Sequence, residues 1–195
     1  EIPSNMSNIS VKNISKLIFL VAGFWFIVGA NTELAATHIV GGEMTYRHIS
    51  GNTYQVKLVL RRDCFLGSKE AEFDDPASIG IFTSGGELVK WLFPDGQILI
   101  PFMASDTLNE FIRSDCGFEG TQVCVHETTY QGFLNLPPRV GGYILAYQRC
   151  CRNATISNII NPAETGAAFS VEIFGNAIEE CNNSPVFNNF PPILV

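Results

Sequence analysis

Charge is scarce in this chain. Only 16% of its 195 residues are Asp, Glu, Lys or Arg, and 12 basic residues face 19 acidic ones. A net charge of −7 leaves no basic surface to neutralise a phosphate backbone, which excludes nucleic acid as a partner. Imidazole is equally scarce: His38, His48 and His126 are the whole supply. Ile39-Val40-Gly41-Gly42 matches the opening of a mature trypsin-like protease, but no Gly-Asp-Ser-Gly segment follows and no histidine has the required setting. Without all three triad roles that reading fails, and the glycine pair reads as a bulge or close backbone approach in a first strand. There is no C-x-x-C pair, internal repeat or low-complexity tract. What remains is an apolar chain, 46% hydrophobic, too apolar for disorder and sized for one ordinary domain.

Lys12 and Lys16 precede the uncharged run Leu17 to Ala30. As a helix this run would span about 21 Å, short of a ~30 Å hydrocarbon core. A basic segment, a short apolar core and small residues behind it form a secretory signal peptide, with an uncleaved anchor as the alternative. Residues 1–36 are therefore expected to be upstream sequence plus a signal-peptide helix, cleaved near Ala35 or Ala36.

All six cysteines, Cys64, Cys116, Cys124, Cys150, Cys151 and Cys181, follow that signal. An even count in an exported chain predicts three structural disulfides, whose connectivity spacing does not choose. Cys150 and Cys151 adjoin in a predicted strand, so their side chains should face opposite ways. Each is then expected to bridge to a different partner. Cys124-Val125-His126 is the only tight metal-type spacing and lacks a second matching pair.

Thr53 to Arg61 alternates, with Tyr54, Val56, Leu58 and Leu60 on one face. A preceding run, His38 to His48, joins it through Ser50-Gly51-Asn52 as a hairpin. Ser78 to Thr83 and Glu87 to Phe93 flank Ser84-Gly85-Gly86 as a second hairpin. Further strands are expected at Gln97 to Phe102, Val123 to Tyr130, which Gly132 to Leu136 either continues or pairs with, Tyr143 to Cys151, Ala154 to Ile160 and Ala167 to Phe174. Thr107 to Arg113 fits either a helical turn or an extended segment. Eight to ten short strands between Gly, Pro and Asn signals predict an all-β, antiparallel Ig-like β-sandwich over 37–183, stapled by disulfides. Residues 184–195, Pro-containing and apolar, read as a linker or the first strand of a following module, with a last strand packed on the sandwich as the alternative.

Candidate sites are few. Glu70, Glu72, Asp74 and Asp75 form an acidic loop that is a candidate for Ca²⁺, without the spacing of a calcium loop. Trp91, Tyr143 and Tyr147 are candidates for stacking on a glycan; alternating aromatics more commonly serve as core or cross-strand partners. Arg149 and Arg152 flank the cysteine pair, either as an anion site or as outward residues paired with acids. Asn5, Asn8, Asn13, Asn153 and Asn182 lie in glycosylation sequons. No pair of carboxylates is singled out for hydrolysis.

The segments THIVGGEMTYRHISGNTYQVKLVLRRDC (37–64), FDDPASIGIF (73–82), NLPPRVGGYILAYQRCCRN (135–153) and CNNSPVFNNFPPILV (181–195) carry a resemblance. The chain resembles the N-terminal module of large surface or secreted proteins of Bacteroidota-type bacteria. Those proteins carry polycystic-kidney-disease-type or other Ig-like repeats and a gliding-motility-associated C-terminal domain read by type IX secretion. Tyr147 to Asn153 is the most specific part; 104–122 departs from the family pattern. The resemblance implies a non-enzymatic structural or adhesive module that uses no cofactor, is exported to the cell surface or beyond, and is followed by β-repeats of the same chain. Implied partners are the export machinery and a surface glycan or protein ligand. In that family the Phe-Pro-Pro segment runs on into a cysteine and the next module. The resemblance carries over no catalytic residue. A carbohydrate-binding module of a polysaccharide-degrading protein is the competing expectation.

Overall fold

The alternation of the second strand governs the architecture. A computed structural model describes residues 39–65, 72–108, 124–153, 156–175 and 182–185. The expected signal segment within 1–38, Glu70, Cys116, Cys181 and 186–195 lie outside the described residues. All described residues belong to one unit, Ala35–Val195. Among them, no helix is long and apolar enough to cross a membrane.

Eight strands appear in order: β1 Ile39–Ser50, β2 Thr53–Asp63, β3 Ala77–Thr83, β4 Gln97–Ile100, β5 Ser105–Leu108, β6 Val125–Asn135, β7 Tyr143–Arg149 and β8 Ala167–Ile173. They form two four-stranded sheets, ordered β1-β2-β6-β5 and β4-β3-β7-β8. Every strand pair is antiparallel. Read as strands A to G, these orders are A-B-E-D against C′-C-F-G, the Ig-like arrangement. A second mark of that fold is present. Tyr143, at the start of β7, donates its hydroxyl to the Pro137 carbonyl 2.8 Å away, fixing the corner between β6 and β7.

The core lies between the sheets. Tyr54, Val56, Leu58 and Leu60 of β2 are fully buried, as their alternation requires. They meet Ile79 and Ile81 of β3 and Tyr143, Leu145 and Tyr147 of β7, all buried. β1 packs on β8 and β4 on β6. These approaches are close: a Cβ on Gly42 would lie 2.6 Å from the Val59 carbonyl oxygen and 3.0 Å from the Phe169 ring. The expected bulge beside Gly41 is seen as a register shift between Ile39 and Gly41.

Two expectations are corrected. Glu87 to Phe93 is not a hairpin strand: it follows β3 only through the Phe82–Leu88 bridge, then turns at Lys90 to Leu92. β4 takes its place beside β3. Residues 156–160 bend rather than extend. Of the ambiguous Thr107 segment, Thr107 and Leu108 end the extended β5; 109–123 lie outside the described residues. Asn183 and Ser184 dock on the edge of β1, where the Ser184 amide donates to the Tyr46 carbonyl at 3.0 Å and the Ser184 hydroxyl accepts from the Tyr46 amide at 2.9 Å. The 184–195 segment thus begins packed against the sandwich.

Candidate functional site

The end of β2, the start of β6 and the end of β7 converge on one end of the sandwich, and most of the chemistry-bearing residues gather there. Cys64 follows β2 directly and Cys124 precedes β6 directly. The ladder brings them together, with the Cys64 amide donating to the Cys124 carbonyl at 3.0 Å. They form a disulfide with Cα atoms 5.2 Å apart, inside the ordinary range. It links neighbouring strands of one sheet, unlike the inter-sheet bridge of antibody domains. His126 faces the same side, and its ring nitrogen lies within 4.8 Å of both sulfurs. With those sulfurs bonded to each other, the Cys-His spacing offers no thiolate to a metal.

The second disulfide corrects the sequence reading. Cys150 and Cys151 are bonded to each other, with Cα atoms 3.6 Å apart. Strand alternation does not apply to them, because β7 ends at Arg149 and Cys151 adopts φ +90°. Left of the strand, the two side chains no longer point to opposite faces. Beyond the pair the chain crosses to the other sheet. Arg152 bridges to Ile39, its amide donates to the Pro162 and Thr165 carbonyls, and the Asn153 side chain donates to an Asp63 carboxylate oxygen at 2.9 Å. Asn153 is buried and so engaged, which removes it as a glycosylation acceptor.

Asp74, in the loop before β3, organises the rest. One carboxylate oxygen pairs with Arg149 at 2.7 Å and the other accepts the Tyr147 hydroxyl at 2.6 Å. The Asp74 carbonyl accepts the Tyr130 hydroxyl at 2.7 Å, and Arg149 also donates to the Glu72 carbonyl. Burial raises the Tyr147 phenol well above its ordinary value; its hydrogen bond to Asp74 and that charge raise it further, against the opposing pull of Arg149. Tyr130 is raised in the same direction, first by burial and then by Asp74. Nearby, Arg62 lies on the inner face of β2 with its guanidinium 5.5 Å from the centre of the Phe73 ring. It is 8% exposed, and its Nε and Nη1 make no hydrogen bond among the described residues. Burial lowers its pKa, Glu72 acts to raise it, and Arg149 adds to the lowering.

The candidate calcium loop is therefore largely committed inward. Asp74 serves Arg149 and Tyr147; Asp75 accepts the Phe102 amide at 3.0 Å; Glu72 is exposed, and Glu70 lies outside the described residues. The candidate glycan residues do not form a platform. Tyr143 and Tyr147 are 3% and 1% exposed because they point into the core with Leu145, whereas Trp91 stands in a turn at 62% exposed. Stacking by the two tyrosines is thus excluded by their burial. Of the two flanking arginines, Arg149 pairs with Asp74 as expected, and Arg152 Nε donates to the Gly166 carbonyl at 3.1 Å. The organising role of Asp74 leaves no local signal, since its phenol partner lies 73 residues away.

The opposite end holds a shallow depression between Tyr54, Leu136, Pro137, Tyr143 and Phe174, scarcely larger than a water molecule. It is too small for an organic ligand, for which pockets of roughly 300 Å³ or more are usual. Set against protein families, curated proteins and solved structures, the chain finds no match.

Proposed function

We propose that this chain is the non-enzymatic, structural or adhesive N-terminal module of a secreted, modular bacterial cell-surface protein, associated with gliding motility and type IX export. The observation that carries the reading is how the polar groups are used. At the stapled end Asp74, Tyr147, Arg149, Asn153 and Asp63 bond to one another or to backbone rather than line a cleft. Two disulfides support life in an oxidising compartment. Following β-repeats of the same chain and the export machinery are the partners this role requires, with a glycan or protein as adhesive ligand; it requires no cofactor.

Expression, in a Bacteroidota-type host, of the tagged chain joined to a gliding-motility-associated C-terminal domain tests it. The protein should reach the cell surface, be cleaved by protease added outside, and carry its disulfides, with no turnover of glycoside, ester or peptide substrates. Retention inside the cell with free thiols, or saturable turnover, overturns the reading. Polysaccharide binding that is lost in Trp91→Ala would replace it with the carbohydrate-binding alternative.

A further inference from the structure

The two disulfides have opposite surroundings. Cys64 and Cys124 are half-buried, and the β2–β6 ladder holds their sulfurs together even when the bond is open. A thiol that opened that bridge would face rapid reclosure. Cys150 and Cys151 lie beyond the end of β7. Cys150 is exposed, whereas Cys151 is 4% exposed. One sulfur therefore belongs to a residue open to attack and the other to a sheltered one. Cys151 also holds φ +90°, a conformation that a non-glycine residue keeps only while its surroundings enforce it. Opening the ring removes one of those constraints.

We propose that Cys150–Cys151 is a thiol–disulfide exchange site, entered at the Cys150 sulfur by a low-molecular-weight thiol. The incoming thiolate forms a bond to Cys150 Sγ as the Cys150–Cys151 bond breaks, and Cys151 Sγ leaves with the electron pair. A second thiolate then attacks the mixed disulfide, releasing the oxidised thiol dimer and leaving Cys150 reduced. Two thiols are oxidised for one disulfide reduced, and Cys150 is the residue that carries the adduct. Arg152 and Asn153, immediately beyond, tie this segment to Ile39 and Asp63 on the other sheet. Exchange therefore loosens the tie between the two sheets at this end alone.

The test uses the oxidised full chain with glutathione as the probe, followed by an acid quench, alkylation and peptide mass spectrometry. A glutathione adduct on Cys150 with alkylated Cys151 should form at least about tenfold faster than any adduct on Cys64 or Cys124. The same result is expected in Cys116→Ser/Cys181→Ser, which removes the remaining sulfurs as competing attackers. Adducts appearing first on Cys64 or Cys124, on Cys151 in place of Cys150, or only with global unfolding overturn the proposal. Amide exchange at 39–43 and 61–63 should accelerate after exchange while 53–56 stays protected. Unchanged protection at 39–43 would refute the loosening.

Discussion

The two ends of the sandwich close by different means. At the turn end the work is done by backbone. Gly51 turns β1 into β2 at φ +51°, Gly141 and Gly142 lead into β7 at φ +80° and +69°, and Tyr143 ties the corner with one hydroxyl. At the stapled end the work is done by side chains far apart in sequence: the Cys64–Cys124 disulfide, the Asp74 hub and the Asn153–Asp63 bond. Turns can be closed locally with glycine because β1–β2 and β6–β7 are joined there by short connections. The stapled end has to join segments that no short turn connects, so it uses covalent and charged links. The difference teaches where sensitivity should lie: to backbone substitution at one end, and to redox state, charge and pH at the other.

The largest effect should come from the stapled end. Cys64→Ala/Cys124→Ala opens a bridge spanning 60 residues, and loop-closure entropy puts the loss at about 4 kcal/mol. Urea unfolding of the variant against the oxidised parent measures it, and a loss under about 1 kcal/mol would show that the ladder alone holds this end. The matching test of the turn end is Gly142→Ala. A Cβ there would collide with the Ile173 carbonyl and meet a positive φ, so a loss of about 3 kcal/mol is expected. If Gly142→Ala were neutral, the backbone account of that end would fail. Asp74→Ala comes next, at about 2 kcal/mol, since it leaves the Arg149 cation and the Tyr147 hydroxyl without their carboxylate.

The same hub predicts a pH response that the turn end shares only weakly. The folded-state pKa values of Tyr130 and Tyr147 lie above the ordinary 10.0, so both phenols bind protons more tightly in the folded chain. Their contribution is fully present below pH ~10 and is lost progressively as pH rises above it, with a slope of up to ~1.4 kcal/mol per unit per phenol. Urea midpoints between pH 8 and 11 should fall above pH ~10, and Tyr147→Phe should make that fall shallower. A slope unchanged by Tyr147→Phe would place the cause elsewhere.

What could be read in the sequence follows the same division. The β1–β2 hairpin was legible because Gly51-Asn52 and the alternation of Tyr54, Val56, Leu58 and Leu60 are local signals. Whether Tyr143 and Tyr147 serve the core or a glycan is left open by alternation alone, and their burial decides for the core. The sheet orders were not legible, since β2 pairs with β6 across more than sixty residues of intervening chain. The Cys150–Cys151 bond was misread because a period-two pattern does not show where a strand stops, and β7 stops one residue before the pair. Asp74 was visible as one of several acids, but its choice of Arg149 and Tyr147 over a calcium ion depends on the fold. Glu87 to Phe93 misled because it is rich in apolar residues, of which Val89 is buried without being in a strand.

The smallest effect should sharpen the comparison most finely. Arg61 and Glu127 are direct cross-strand neighbours on β2 and β6, with a 2.6 Å contact and both side chains partly exposed. They lie at the stapled end, yet on the face opposite the hub. Partial exposure lets water and salt screen them, so Glu127→Gln should cost less than about 1 kcal/mol. In about 1 M salt, where charges are screened within ~3 Å, that cost should nearly vanish. Asp74→Ala should keep most of its cost under the same conditions, because the lost partner of a buried Tyr147 hydroxyl is not replaced by salt. Equal salt sensitivity in the two variants would mean that the stapled end is held by surface charge rather than by its buried bonds, and the contrast between the two ends would reduce to its disulfides.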